Sequence, residues 1–263
     1  STDNIVVGAF LSVGLVAFYS IGGSLTVYSM QVVSSLSTTF TPLASGLDAL
    51  GKTDELRRLL MRGTQAVLGL SLPISLALLF RGKTFIGLWM GHSYREISGN
   101  VLEILIISQF FTVANNTASN IMFAIGKHKA IAKAASIEAA LNLGLSILLV
   151  KNVGIYGVAW GTSISMAVVH LIFWPRYVRK ILGIPMLQYL WQGWGKMTLA
   201  AVPYAAVCAI EDIRWHPASL AVFFVQIGVT LPIYIATVLL VFHKEAMTQF
   251  RKWQQSRLVR ASA

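Results

Sequence analysis

Seven stretches of this chain are apolar, six of them for 18 residues or more, longer than a soluble core has use for, and their length limits the possible folds severely. They fall at residues 13–47, 63–80, 101–125, 130–150, 154–175, 197–210 and 217–242, and residues 5–10 read as the tail of an eighth. A bilayer core about 30 Å thick requires about 20 apolar residues of helix. Lipid offers the backbone no hydrogen-bond partner, so each stretch must satisfy itself as a helix. The expectation is an all-α fold, a polytopic transmembrane helical bundle. The first run exceeds the hydrocarbon thickness and is expected to tilt or extend into water, and 197–210 is the shortest of the seven. Composition agrees: 56% of the 263 residues are hydrophobic and 12% charged, against about 45–50% and 25% in soluble domains.

The basic residues orient the bundle. Sixteen of the 21 Lys and Arg lie in alternate connections, at residues 52–62, 127–133, 176–196 and 244–260. The other five, Arg81, Lys83, Arg95, Lys151 and Arg214, lie in the opposite ones. Lys and Arg are retained on the cytoplasmic side of short loops, so the carboxyl terminus is expected in the cytoplasm, with residues 243–263 as a basic tail. The net charge of +11 is spread over helix ends, with no basic face to track a phosphate backbone, so nucleic acid is not an expected partner. Topology and attraction to anionic membrane lipids account for it. Ser1 begins the sequence with no signal-peptide pattern ahead of the first apolar run, and the chain reads as a piece of a longer one. One cysteine, Cys208, and no His/Cys cluster at metal-ligand spacing leave no expected metal, cofactor or redox chemistry.

Two connections have their own character. "GKTDELRRLLMRG" places Asp54 and Glu55 ahead of its arginines, the order that suits a helix dipole, and reads as an interfacial helix. "ILGIPMLQYLWQGWGK" mixes Tyr189, Trp191 and Trp194 with polar groups, which suits a connector at headgroup level.

Inside the spans, polar residues recur at helical spacing. Glu138, Asn142 and Ser146 follow at intervals of four; each step turns a helix by about 400°, so the three drift only about 80° and share a stripe. Glu138 lies about 12 Å into its span at 1.5 Å per residue, too deep for so short a side chain to reach water. An acid facing lipid costs about 2.5–3.5 kcal/mol on insertion scales, which makes it a functional candidate by default. The alternative is a hydrogen-bonded Glu that ties helices together. "SQFFTVANNTASN" repeats the pattern with Ser108, Thr112, Asn116 and Asn120, and the first run offers Ser20, Ser24, Tyr28 and Gln31. Cavity walls or polar helix contacts both fit such stripes. Gly157 and Gly161 form a small-xxx-small pair for close helix packing. His170, near the cytoplasmic end of the same span, is open to a functional or a structural helix-end role, of which the structural is the stronger reading, and Pro73 and Pro232 interrupt spans where kinks are common.

"TDNIVVGAFLSVGLVAFYSIGGSL", "TPLASGLDALGKTDELRRLLMRG" and above all "EAALNLGLSILLVKNVGIYGVAWGTSIS" followed by "WPRYVRKILG" resemble the carboxyl-terminal half of polysaccharide flippases. These are the O-antigen and exopolysaccharide exporters of the multidrug/oligosaccharidyl-lipid/polysaccharide superfamily. The resemblance implies two helical lobes around a cavity that alternates between membrane faces, of which this chain is one. It implies that Asp3 and Asn4 close the parent's seventh helix, that Asn142 and Ser146 belong to an "N-L-x-L-S" stretch, and that Gly154, Gly157, Gly161 and Thr162 belong to a "G-x-x-G-x-A-x-G-T" stretch. Residues 1–175 are then the lobe helices, 176–196 a cytoplasmic connector, and 197–242 two added spans. The implied cargo is a lipid-linked oligosaccharide, and the implied partners are the missing amino-terminal lobe and the lipids of a bacterial inner membrane. Family members often hold the cargo pyrophosphate with cations in the cavity, whereas no Arg or Lys is read deep in a span here.

The expected mechanism is alternating access of a polar cavity. Glu138 is the candidate coupling site for a proton or cation, with Asn142, Ser146, Thr112, Asn116, Asn120, Ser24 and Tyr28 as further cavity candidates. A multidrug extruder shares the implied fold and uses intramembrane acids. A membrane glycan-modifying enzyme is a weaker reading: the connections are short, and His92, His128, His170, His216 and His243 have no acid at a catalytic-looking spacing. Inert scaffolding conflicts with the polar stripes.

Overall fold

The chain is described by a computed structural model that covers the backbone of residues 2–261 and the side chains of residues 2–242. The side chains of the expected basic tail lie outside the described residues. Among those described the protein is helical throughout, with no strand. Helices α1 (Thr2–Phe10), α2 (Val13–Thr38), α3 (Phe40–Ala49), α4 (Thr53–Met90), α5 (His92–Ala124), α6 (His128–Val153) and α7 (Ile155–Val168) follow one another over short turns. A π-helical stretch, Val169–Phe173, carries α7 into α8 (Trp174–Leu182). A turn of helix α9 (Met186–Gln188) and a second π-helical stretch, Tyr189–Gly195, lead to α10 (Lys196–Arg214), and α11 (Leu220–Ala261) ends the described chain.

Among the described residues, six segments are long and apolar enough to cross a membrane: Val13–Ala49, Thr53–Met90, His92–Ala124, His128–Val153, Ile155–Leu182 and Leu220–Phe242. The protein is a multi-pass membrane protein. The seventh expected span is a helix, α10, but not one of the six, because Lys196, Glu211, Asp212 and Arg214 crowd its two ends. The first run is interrupted at Thr39, which divides it into α2 and α3. The segment expected as an interfacial helix is instead the opening of α4. Leu56 and Leu60 are buried there, and Arg57 donates through Nε to the Leu182 carbonyl at 2.5 Å, joining it to α8.

The 63–80 span runs past its expected end. α4 continues without interruption to Met90, and Arg81, expected in a loop, is wholly buried within it. Its guanidinium donates to Glu211 of α10 at 2.9 Å and to Gln226 of α11, and stands 4.9 Å over the Phe223 ring. A buried cation is tolerable only when paired in this way.

The connector departs from expectation as well. Trp191 is exposed, but Tyr189 and Trp194 insert into the main core. The Tyr189 hydroxyl donates to Asn115 Oδ1 at 3.1 Å, while Asn115 Nδ2 donates to the carbonyls of Phe111 and His170 at 3.0 Å each. Burial holds the Tyr189 phenol well above its ordinary pKa.

α5 and α7 are the most enclosed spans and α11 the least. α6 returns to α7 through Gly154, whose φ of 64° lies in the region that glycine enters without steric cost. The two helices then approach backbone to backbone: a Cβ on Gly161 would stand 2.5 Å from Ser146 Oγ and 2.6 Å from Ser146 N, and one on Gly157 would strike the Leu149 carbonyl.

Candidate transport cavity

A cavity of about 580 Å³ runs along one side of the bundle, between α1, α2, α5 and α7. Its apolar wall includes Val27, Leu105 and Met166, and its polar wall includes Asp3, Asn4, Ser24, Tyr28, Ser108, Gln109, Thr112 and Thr162. The polar residues come from four helices. On α2, Ser20, Ser24 and Tyr28 lie one turn apart, and all three face the cavity. Gly22, between them in sequence, leaves room for the α5 backbone, since a Cβ there would meet the Ser98 carbonyl at 2.6 Å.

Asp3 is the carboxylate of this cavity. Tyr19 Oη donates to its Oδ2 at 3.0 Å, and the Thr162 hydroxyl reaches the same oxygen at 3.2 Å. Thr162 Oγ1 also stands 3.2 Å from the Val158 carbonyl, and with one hydrogen it serves one acceptor at a time. Asn142 Nδ2 donates to Thr162 Oγ1 at 2.8 Å, bringing α6 into the network from behind. Asp3 Oδ1 has no hydrogen bond among the described residues. Buried oxygens of Asn4, Gln109 and Thr112 also lack a partner there. A wall of this kind offers an acid, several hydroxyls and free acceptors, a set that matches sugar hydroxyls or a small cation and contains no nucleophile with an activating base. No cluster of three or more His, Cys, Asp or Glu capable of holding a metal occurs among the described residues.

The sequence candidates separate into groups. Ser24, Tyr28 and Thr112 line the cavity. Asn142 touches it only through Thr162. Ser146 is buried against α7, with its hydroxyl 3.4 Å from the Val158 carbonyl. Asn116 and Asn120 bond each other at 2.8 Å, and Asn116 reaches Ser34 at 3.5 Å, outside this cavity. Glu138 is also outside it and pairs with His170 Nε2 at 3.4 Å across α6 and the π-helical stretch. A π-helical turn shifts the helix face by the extra residue. Four-residue spacing cannot show that shift, so the His170 partner was not visible in the sequence. Asp3, Asn4 and Thr162 were singled out by the family resemblance but not as cavity residues. Tyr19 and Gln109 carried no signal beyond their residue type.

A family model described as MatE matches residues 1–148, more than half of the chain. The chain belongs to the MatE family. This MatE chain is 23% identical over 192 residues to a probable low-salt glycan biosynthesis flippase, Agl15, of Haloferax volcanii, covering 73% of the chain and 40% of that protein. It is 23% identical over 177 residues to a putative O-antigen transporter of Shigella flexneri, covering 67% of the chain and 42% of that protein. Among solved structures it is similar to the lipid II flippase MurJ in an inward closed conformation, with a TM-score of 0.72 at 18% identity over 93% of the chain and 51% of MurJ. The fold is MurJ-like. The chain spans about two fifths of the length of the curated relatives it matches.

Proposed function

We propose that this MatE chain is the carboxyl-terminal lobe of a transporter that carries lipid-linked oligosaccharide or polysaccharide precursors across the bacterial inner membrane by alternating access, with its carboxyl terminus in the cytoplasm. The observation that carries the proposal is the one-sided cavity: four helices supply a polar wall, and Tyr28, which lines it, is 56% exposed. A missing amino-terminal lobe completes the enclosure. The similarity to proteins named as a glycan flippase and an O-antigen transporter supports this cargo class over a multidrug extruder, and the lack of an activated nucleophile in the wall argues against a glycan-modifying enzyme.

Coupling to a proton or cation is assigned to Asp3 rather than to Glu138, because Asp3 faces the cavity while Glu138 is turned to His170. In the full-length transporter, Asp3→Asn abolishes ion-dependent transport with expression intact, and Glu138→Gln has the smaller effect. The reverse order would return the role to Glu138. The function itself is tested by deleting the parent gene and extracting lipid-linked oligosaccharides. Their accumulation in the cytoplasmic leaflet, with loss of surface polysaccharide restored by the intact gene, is the expected result. No accumulation together with new sensitivity to cationic drugs would favour the extruder.

A further inference from the structure

A second concavity lies on the opposite side of α7 from the transport cavity. Met166 faces that cavity; Val168, two residues on and so about 200° around the helix, faces a groove of about 360 Å³ between α6 and α8. Ile137, Val168, Ile172 and Phe173 give the groove an almost wholly apolar wall, and Val168 and Ile172 are exposed. Tyr177 lies stacked on Phe173, with ring centroids 5.8 Å apart and planes within 5°.

One end of the groove is cationic. Arg176 and Lys180, one turn apart on α8, line it. On α6, Lys133 precedes Ile137 by one turn and Lys129 by two, both exposed. None of these four cations has an ion-pair or hydrogen-bond partner among the described residues. Glu138, beside Ile137, is engaged by His170 at 3.4 Å.

An apolar trench of a membrane helix bundle that ends in unpaired Lys and Arg has the charge and polarity of an anionic phospholipid, with the acyl chain along the trench and the phosphate among the cations. We infer that the α6–α8 groove is a binding site for an anionic phospholipid of the leaflet that faces the basic connections. The site is separate from the transport cavity and does not depend on the cargo proposed above. Its occupant bridges α6 to α8, whose direct connection otherwise runs through the π-helical stretch and the Glu138–His170 pair.

The test uses the intact transporter containing this chain, purified in detergent and examined by native mass spectrometry with phosphatidylglycerol and phosphatidylcholine of the same acyl chains. Phosphatidylglycerol is expected to remain bound under activation that strips phosphatidylcholine. Arg176→Gln with Lys180→Gln is expected to weaken it at least tenfold, at about fivefold per cation near a membrane surface. Ile172→Trp, which fills the trench and keeps the charges, is expected to weaken it too, whereas Arg58→Gln with Arg62→Gln, another cytoplasmic basic pair, is not. Equal retention of the two lipids would overturn the inference. So would equal losses from both pairs of charge substitutions, an Ile172→Trp variant that binds as before, or displacement of phosphatidylglycerol by millimolar inorganic phosphate.

Discussion

The buried pair of Arg81 and Glu211 makes a demanding prediction about stability. The Arg81 side chain is wholly inaccessible, that of Glu211 is 4% exposed, and they meet at 2.9 Å. Glu211→Ala leaves the guanidinium with Gln226 and the Phe223 ring as its partners and no opposing charge. Breaking such a pair from one side costs about 3–5 kcal/mol, because the remaining ion is buried uncompensated, while replacing both partners with well-packed apolar residues is neutral or stabilising by about 1–4 kcal/mol. The single variant is therefore expected to be less stable than the double variant Arg81→Met, Glu211→Leu. For a domain of this size the single loss lowers the unfolding midpoint by on the order of 10 °C, read by thermal unfolding of the detergent-solubilised transporter. Cys208, buried one turn before Glu211 on α10, reports the same event through faster maleimide labelling in the single variant. A loss below about 1 kcal/mol in Glu211→Ala, or a double variant as damaged as the single, would refute the account of Arg81 as a buried cation that Glu211 compensates.

Two smaller perturbations test other contacts. Gly161→Ala is expected to destabilise the α6–α7 pair by about 1–3 kcal/mol through overpacking, and Ser146→Ala is not expected to rescue it, because the Ser146 backbone nitrogen is itself within 2.6 Å of the new Cβ; both are read by unfolding midpoints. Tyr189→Phe removes the donor to Asn115 Oδ1 and is expected to cost about 1–2 kcal/mol, with the connector cleaved faster in limited proteolysis.

The sequence made the spans legible because membrane insertion is decided locally: each apolar window either satisfies the hydrocarbon or does not. Its failures came where a distant residue changed the answer. Arg81 reads as a loop residue until Glu211, 130 positions later, neutralises it. Tyr189 and Trp194 have the composition of a headgroup belt, and only the Asn115 amide and the main core reveal that they are inserted. Glu138, Asn142 and Ser146 do share a helix side, but they meet His170, Thr162 and the Val158 carbonyl respectively. Periodicity identifies a face and leaves open what lies opposite. The carboxylate of the cavity, Asp3, sits on the short helix α1 and belongs to no stripe, so spacing had no means of selecting it.

The tight joint at Gly154 has a consequence for how the protein is made. α6 and α7 face each other across a one-residue turn, and Ser146 meets the Val158 carbonyl only 12 positions away. At about 5–20 residues per second of synthesis, these two helices are complete within seconds of one another. They can leave the translocation channel already paired, with Ser146 and Asn142 covered by α7 before either meets lipid. A substitution that widened the joint would therefore act first on the yield of inserted protein, before any effect on transport could be measured.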